Sequence, residues 1–145
     1  MLPRYHGEVE TNLGPGSVFD LILDEEGSPS KNLEYYISSS EKTEEHYEGL
    51  STALLALKEY LLGQRIITMT LKPKNILCQK DRSGISRLFV IDNIGNSDFI
   101  PICNYSAYLA RKKISRKWAD FEKKMLGAFK ENGALRRMID TWHRP

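Results

Sequence analysis

Cysteine, histidine and long apolar runs are all scarce in this 145-residue chain, and each scarcity narrows its chemistry. The two cysteines, Cys78 and Cys103, lack C-x-x-C spacing and sit in apolar surroundings. They read as buried free thiols of a reducing compartment, not as a zinc site or a disulfide framework. The three histidines, His6, His46 and His143, are too widely spaced to suggest a metal trio, and no Ser/His/Asp set has a recognisable local context. No apolar run approaches the roughly 20 residues that span a bilayer. Met1-Leu2-Pro3-Arg4-Tyr5-His6-Gly7 has no basic region followed by an apolar stretch, so no signal peptide is legible and the expected location is the cytoplasm. Internal repeats and low-complexity tracts are missing, and 6 Pro and 10 Gly are too few for a disordered or fibrous chain.

What is present suits one globular domain at most. Hydrophobic residues make up 41% of the chain and charged residues 28%, enough apolar material for one core. The net charge of +2 hides an asymmetry: residues 1–100 carry 10 basic and 15 acidic side chains, residues 101–145 carry 11 and 4. A basic C-terminal third can attract an anionic partner, but the commoner meaning is the solvated face of amphipathic helices.

Turn signals and hydrophobic periodicity divide the chain. Tyr5 to Thr11 reads as a strand, Gly14-Pro15-Gly16 as a turn, and Val18 to Leu23 as a second strand completing a hairpin. Asp24 to Ser30 reads as a polar linker. Asn32 to Ser38 suggests a short helix, and Tyr47, Leu50, Leu54, Leu57 and Leu61 form the apolar stripe of a longer one. Glu41, Glu44, Glu45 and Glu48 crowd its start, and Gly63 stands where a left-handed cap is expected. Arg65 to Met69 reads as strand-like. Leu77-Cys78 and Arg87 to Ile91 read as two strands joined by a loop over residues 79–84. Ile114, Trp118, Phe121, Met125 and Phe129 mark a basic amphipathic helix, and Ala134 to Trp142 a last short one.

The chemistry concentrates in Thr70-Leu71-Lys72-Pro73-Lys74-Asn75-Ile76-Leu77 and in Asp92-Asn93-Ile94-Gly95 after the apolar run Leu88 to Ile91. These segments resemble the catalytic loop, H-R-D-L-K-P-E-N-I-L, and the metal-binding turn of the protein-kinase fold. Phosphoryl transfer needs positioned phosphates and neutralised charge more than covalent help. Mg²⁺ takes one or two protein oxygens, the rest coming from phosphate and water, and a carboxylate plus an amide oxygen supply them. The resemblance gives those roles to Asp92 and Asn75, a phosphate-facing role to Lys72, and the catalytic-base position to Thr70, which cannot act as a base at neutral pH. Asp20, Leu21 and Ile22 match the strand linking the two lobes, whose backbone holds adenine. Each residue alone has a plainer reading, Asp92 and Asn75 as turn formers and Lys72 as a surface lysine.

The chain as a whole resembles the YrbL family, the bacterial PhoP regulatory network proteins with a kinase-like fold. The likeness rests on Pro3-Arg4-Tyr5-His6-Gly7, Val9-Glu10-Thr11, Gly16-x-Val18-Phe19-Asp20, Gly27-x-Pro29-Ser30, Arg65-Ile66-x-Thr68-Met69, Leu71-Lys72-Pro73, Asn75-Ile76-Leu77-Cys78 and Asp92-Asn93-Ile94-Gly95. The family name refers to gene control and assigns no biochemical activity. The resemblance implies an α+β, protein kinase-like fold with a truncated small lobe. Residues 1–23 would be its remnant and hinge, and residues 31–145 a mainly helical large lobe carrying a catalytic-loop hairpin. The glycine-rich phosphate loop, the strand lysine and the helix glutamate of kinases are missing, and Gly14-Pro15-Gly16 does not replace the loop, because Pro15 offers no N–H. The expected function is regulatory binding with vestigial Mg²⁺ and ATP ligands, with a protein as a further possible partner. Two alternatives are a phosphotransferase activity in full-length relatives on a non-protein or envelope-related substrate, and a basic helix, Arg111 to Lys124, binding an anionic partner. Nucleic acid is disfavoured, since Trp118 falls on the apolar stripe.

Overall fold

A computed structural model describes residues 1–92, 94 and 107–144. The order is β1 (Tyr5–Thr11), β2 (Gly14–Phe19), β3 (Lys31–Asn32), α1 (Leu33–Ile37), α2 (Ser40–Glu45), α3 (Tyr47–Gly63), a 3₁₀ turn (Pro73–Asn75), β4 (Ile76–Asp81), β5 (Gly84–Val90), α4 (Ala107–Ala128) and α5 (Gly133–Trp142). The architecture is mixed α+β. β1 and β2 form a two-stranded antiparallel ribbon, and β3-β4-β5 form a second antiparallel sheet. The chain start lies against the latter, with Val90 N–H donating to the Met1 carbonyl at 2.8 Å and the Met1 amino group donating to the Leu88 carbonyl.

Helix α3 forms the floor of the core. Its stripe Leu50, Leu54, Leu57 and Leu61 is buried, as a 3.6-residue period requires of one face. β5 lies across it at Gly49, where a Cβ would meet the Ile85 carbonyl oxygen at 2.7 Å, so only glycine permits this approach. Ile76, Cys78, Ile85, Leu88 and Val90 turn inward from the sheet, and Ile114, Trp118, Phe121 and Met125 close the core from α4. Asn132 ties α5 to the rest: its side chain caps Leu135 N–H and donates to the Ile37 carbonyl and Thr43 Oγ1.

Several expectations need correction. The second strand is Gly14–Phe19, not Val18 to Leu23, because Gly14-Pro15-Gly16 pairs with Val9 to Thr11 and is strand, not turn. The acidic run is divided between two helices, α2 ending at Glu45 and α3 beginning at Tyr47. The left-handed residue after α3 is Arg65 (φ 54°), not Gly63: Ile66 N–H reaches back to the Leu61 carbonyl in a Schellman closure. Arg65 to Met69 makes no strand beyond a single bridge, Thr68 to Ile94. β4 and β5 run longer than Leu77-Cys78 and Arg87 to Ile91, with Asp81 opposite Gly84 (φ 115°), so the connecting loop is shorter than residues 79–84. Asp24 to Ser30 is no slack linker. The Asp24 carboxylate accepts from Ser30 Oγ and Lys80 N–H, and Glu25 binds Arg82, docking this turn on the β4–β5 hairpin.

Candidate functional site at the mouth of the β4–β5 hairpin

The 3₁₀ turn and the hairpin register together build the site. Pro73 opens the turn with its fixed φ, and Asn75 N–H closes it on the Lys72 carbonyl at 2.9 Å. The ladder then starts at Ile76 opposite Val90, and Ile91 N–H donates to the Asn75 carbonyl at 3.0 Å. Asn75 is thereby fixed on one side of the hairpin mouth and Asp92 on the other. Their side chains meet: Asn75 Nδ2 donates to Asp92 Oδ2 at 2.9 Å. Asn75 is half-buried and Asp92 exposed. The two residues that the sequence separates by 17 positions therefore share one solvent-facing corner.

An amide oxygen beside a carboxylate is a hard-oxygen donor set of the kind Mg²⁺ takes, with its remaining positions filled by phosphate or water. In the observed arrangement the amide presents its nitrogen to Asp92, so Oδ1 would reach a cation shared with Asp92 only after the amide turned over. Lys72 is exposed on the same loop, and Thr70 is half-buried at its start. Lys117 Nζ donates to the Met69 carbonyl at 2.6 Å and so anchors α4 to the approach of this loop. That contact was not legible in the sequence, where Lys117 is one of a run of basic residues.

Asp20, Leu21 and Ile22 follow the β1–β2 ribbon. The Asp20 carboxylate accepts from His6 Nε2 at 2.6 Å and from Arg4 N–H, and the His6 hydrogen bond leads the forces that hold its carboxyl below the usual range. Leu21 is 72% exposed, whereas Ile22 is buried and its carbonyl accepts from Ser30 N–H at 3.0 Å. These three residues do not touch Asn75 or Asp92 through any of these hydrogen bonds.

Cys78 is buried on β4, and desolvation by burial pushes its thiol pKa far up, with Asp24 adding to the effect. Cys103, Asn93 and Gly95 lie outside the described residues. His6 pairs with Asp20, His46 packs its ring on Tyr36, and His143 meets Glu122. Among the described residues no three metal-ligating His, Cys, Asp or Glu side chains cluster. Trp118, 1% exposed, donates to Glu122 at 2.6 Å inside the core, so it offers no stacking platform.

The fold and this corner define an α+β protein built on an embedded β-hairpin, with a carboxamide–carboxylate pair at its mouth. The family model described as PhoP regulatory network protein YrbL matches residues 1–126, and the chain belongs to that family. It is 42% identical over 120 residues to protein YrbL of Escherichia coli (strain K12), and equally to that of Shigella flexneri. The aligned part covers 83% of this chain and 57% of each relative, so the chain spans little more than half the length of these curated relatives. No solved structure matches it. Among the described residues no helix is long and apolar enough to cross a membrane.

Proposed function

We propose that the chain carries part of a protein kinase-like fold and acts in the bacterial cytoplasm as a regulatory binding protein, with Mg²⁺–nucleotide ligands kept in vestigial form at Asn75 and Asp92. The observation that carries this reading is the 2.9 Å contact between those side chains across the hairpin mouth. Mg²⁺ would supply charge neutralisation at a bound phosphate. Asn75 and Asp92 would hold it, and Lys72 would offset phosphate charge from the same loop. Thr70 stands at the base position without a titratable group, and loss of a general base costs on the order of 10²–10⁴ in rate. Binding without turnover is the consistent outcome. The backbone of Asp20, Leu21 and Ile22 is the adenine-facing segment on this reading, and a protein partner the regulatory target.

The test is a thermal shift with Mg-ATP on this chain, on a longer family member, and on Asp92→Ala in each. At about 100 times Kd, binding adds about 2.7 kcal/mol, a rise of several °C for a domain of this size. We expect that rise to vanish in Asp92→Ala. No Asp92-dependent rise in the longer protein removes the nucleotide reading.

A second reading, favoured by Lys72, Asn75 and Asp92 all standing on the hairpin and its loop, is phosphotransfer by the longer relatives to a non-protein or envelope-related acceptor. Phosphate transfer lost in both Asn75→Ala and Asp92→Ala supports it, and hydrolysis surviving both counts against it. The basic helix as an anion or nucleic-acid binder loses its aromatic element, because Trp118 belongs to the core.

A further inference from the structure

Behind the Thr70–Lys74 loop lies a cavity of about 420 Å³ that shares Lys72 and Thr70 with the hairpin-mouth site but includes neither Asn75 nor Asp92. One wall is the C-terminal half of α4 with Phe121, Met125 and Ala128, together with Phe129 just past the helix end, and the opposite side is Leu71 and Pro73. Lys72, Lys74 and Lys124 also line it, against the single acidic residue Glu34. The size suits a small organic ligand. The composition selects its chemistry. An apolar wall rewards hydrocarbon, and a rim with net positive charge rewards an anionic head and disfavours a cationic one. A second cavity, of about 320 Å³, sets Lys31, Lys42 and Lys80 against Asp24, Glu26 and Glu45. Its charges balance, so it carries no such preference.

We propose that the cavity between the Thr70–Lys74 loop and α4 binds an amphipathic anion as a monomer, with its acyl or aryl portion against Pro73, Ala128 and Phe129 and its phosphate or carboxylate among the three lysines. Lysine stems lie along apolar surface while their heads stay in water, so the rim can close on the head group without burying an unpaired charge. The proposal shares Lys72 with the nucleotide reading but requires neither Asn75 nor Asp92, so Asp92→Ala, which should abolish the Mg-ATP response and leave this binding intact, tells the two apart.

Calorimetric titration of the full chain with decyl phosphate, kept below its micelle concentration, tests it. We expect saturable 1:1 binding, weakened at least tenfold by Lys124→Glu and by Ala128→Trp, and changed less than twofold by Arg111→Glu at the far end of α4. Ala128 is exposed at the helix end, so a bulky side chain there fills the cavity without entering the core. Circular dichroism checks that each variant is folded, and Lys124→Glu keeps the test decisive if Ala128→Trp is not. Inorganic phosphate binding as tightly as decyl phosphate would mean an anion site alone, and decyl maltoside binding as tightly would mean an apolar contact alone. Either result overturns the proposal, as does binding to anionic vesicles with none to the monomer, or wild-type affinity in folded Lys124→Glu.

Discussion

Two hairpins of similar length meet opposite fates in this molecule. In β4–β5 the residues Ile76, Cys78, Ile85, Leu88 and Val90 are withdrawn from water, β3 and the chain start flank the sheet, and α3 supplies a floor. In β1–β2 every residue is at least partly exposed, Val9 is 51% exposed and Leu13 94%, and its side-chain contacts, such as the Tyr5 and Phe19 rings at 5.2 Å and His6 with Asp20, lie at the surface. No side chain of this ribbon belongs to the core, which draws on residues from Leu33 to Ile139. A two-stranded hairpin alone is marginal in water. The lesson is that strand propensity and turn chemistry make a hairpin, but a second layer makes it stable, and the candidate site sits on the hairpin that has one.

The sharpest way to break this contrast is truncation. Leu88→Ala should destabilise by about 2–5 kcal/mol, whereas Val9→Ala should stay within about 0.5 kcal/mol, both measured by urea denaturation. Equal effects would show that the ribbon is packed after all. Gly49→Ala should cost about 1–3 kcal/mol, since the new methyl must push β5 off α3; an unchanged midpoint would place the β5 contact elsewhere.

Acid should loosen the flank of β5. Burial, aided by Arg87, lowers the Met1 ammonium pKa to about 5 from its ordinary 8.0. Between those values the unfolded chain holds a proton that the folded chain lacks, so this contribution is complete above pH 8 and is lost as pH falls towards 5. The melting temperature of a chain beginning at Met1 should drop over that interval more than that of an N-terminally acetylated form; identical profiles would contradict the burial. The smallest effect is expected at the end of α3. Arg65→Gly should stabilise by up to about 1 kcal/mol, by relieving a left-handed backbone at a non-glycine residue, and a loss of stability would mean that the arginine side chain matters more.

The stripes of α3 and α4 were legible because one buried face leaves a 3.6-residue imprint, and Leu50, Leu54, Leu57, Trp118, Phe121 and Met125 all sit where it places them. Asn75 and Asp92 were legible as a pair through the family motif, and the register from Ile76 to Val90 gives the geometric reason they meet. The role of Gly14-Pro15-Gly16 was not, because a turn signal and an edge strand tolerate the same residues when the proline needs no ladder bond. Nor was the docking of Asp24 and Glu25 on Lys80 and Arg82, which joins residues more than 50 positions apart. The Lys117 contact to Met69, across 48 positions, was hidden for the same reason: nothing local distinguishes that lysine from its neighbours.

The bond between Asn75 and Asp92 makes one amide a latch. On the proposed reading, a cation shared by both side chains would need the amide to turn over, and the half-turn that breaks the Nδ2 bond would present Oδ1 instead. Release and loading would then be one rotameric event, and aspartate at position 75, which has no N–H to donate, would lose that fastening while keeping an oxygen donor.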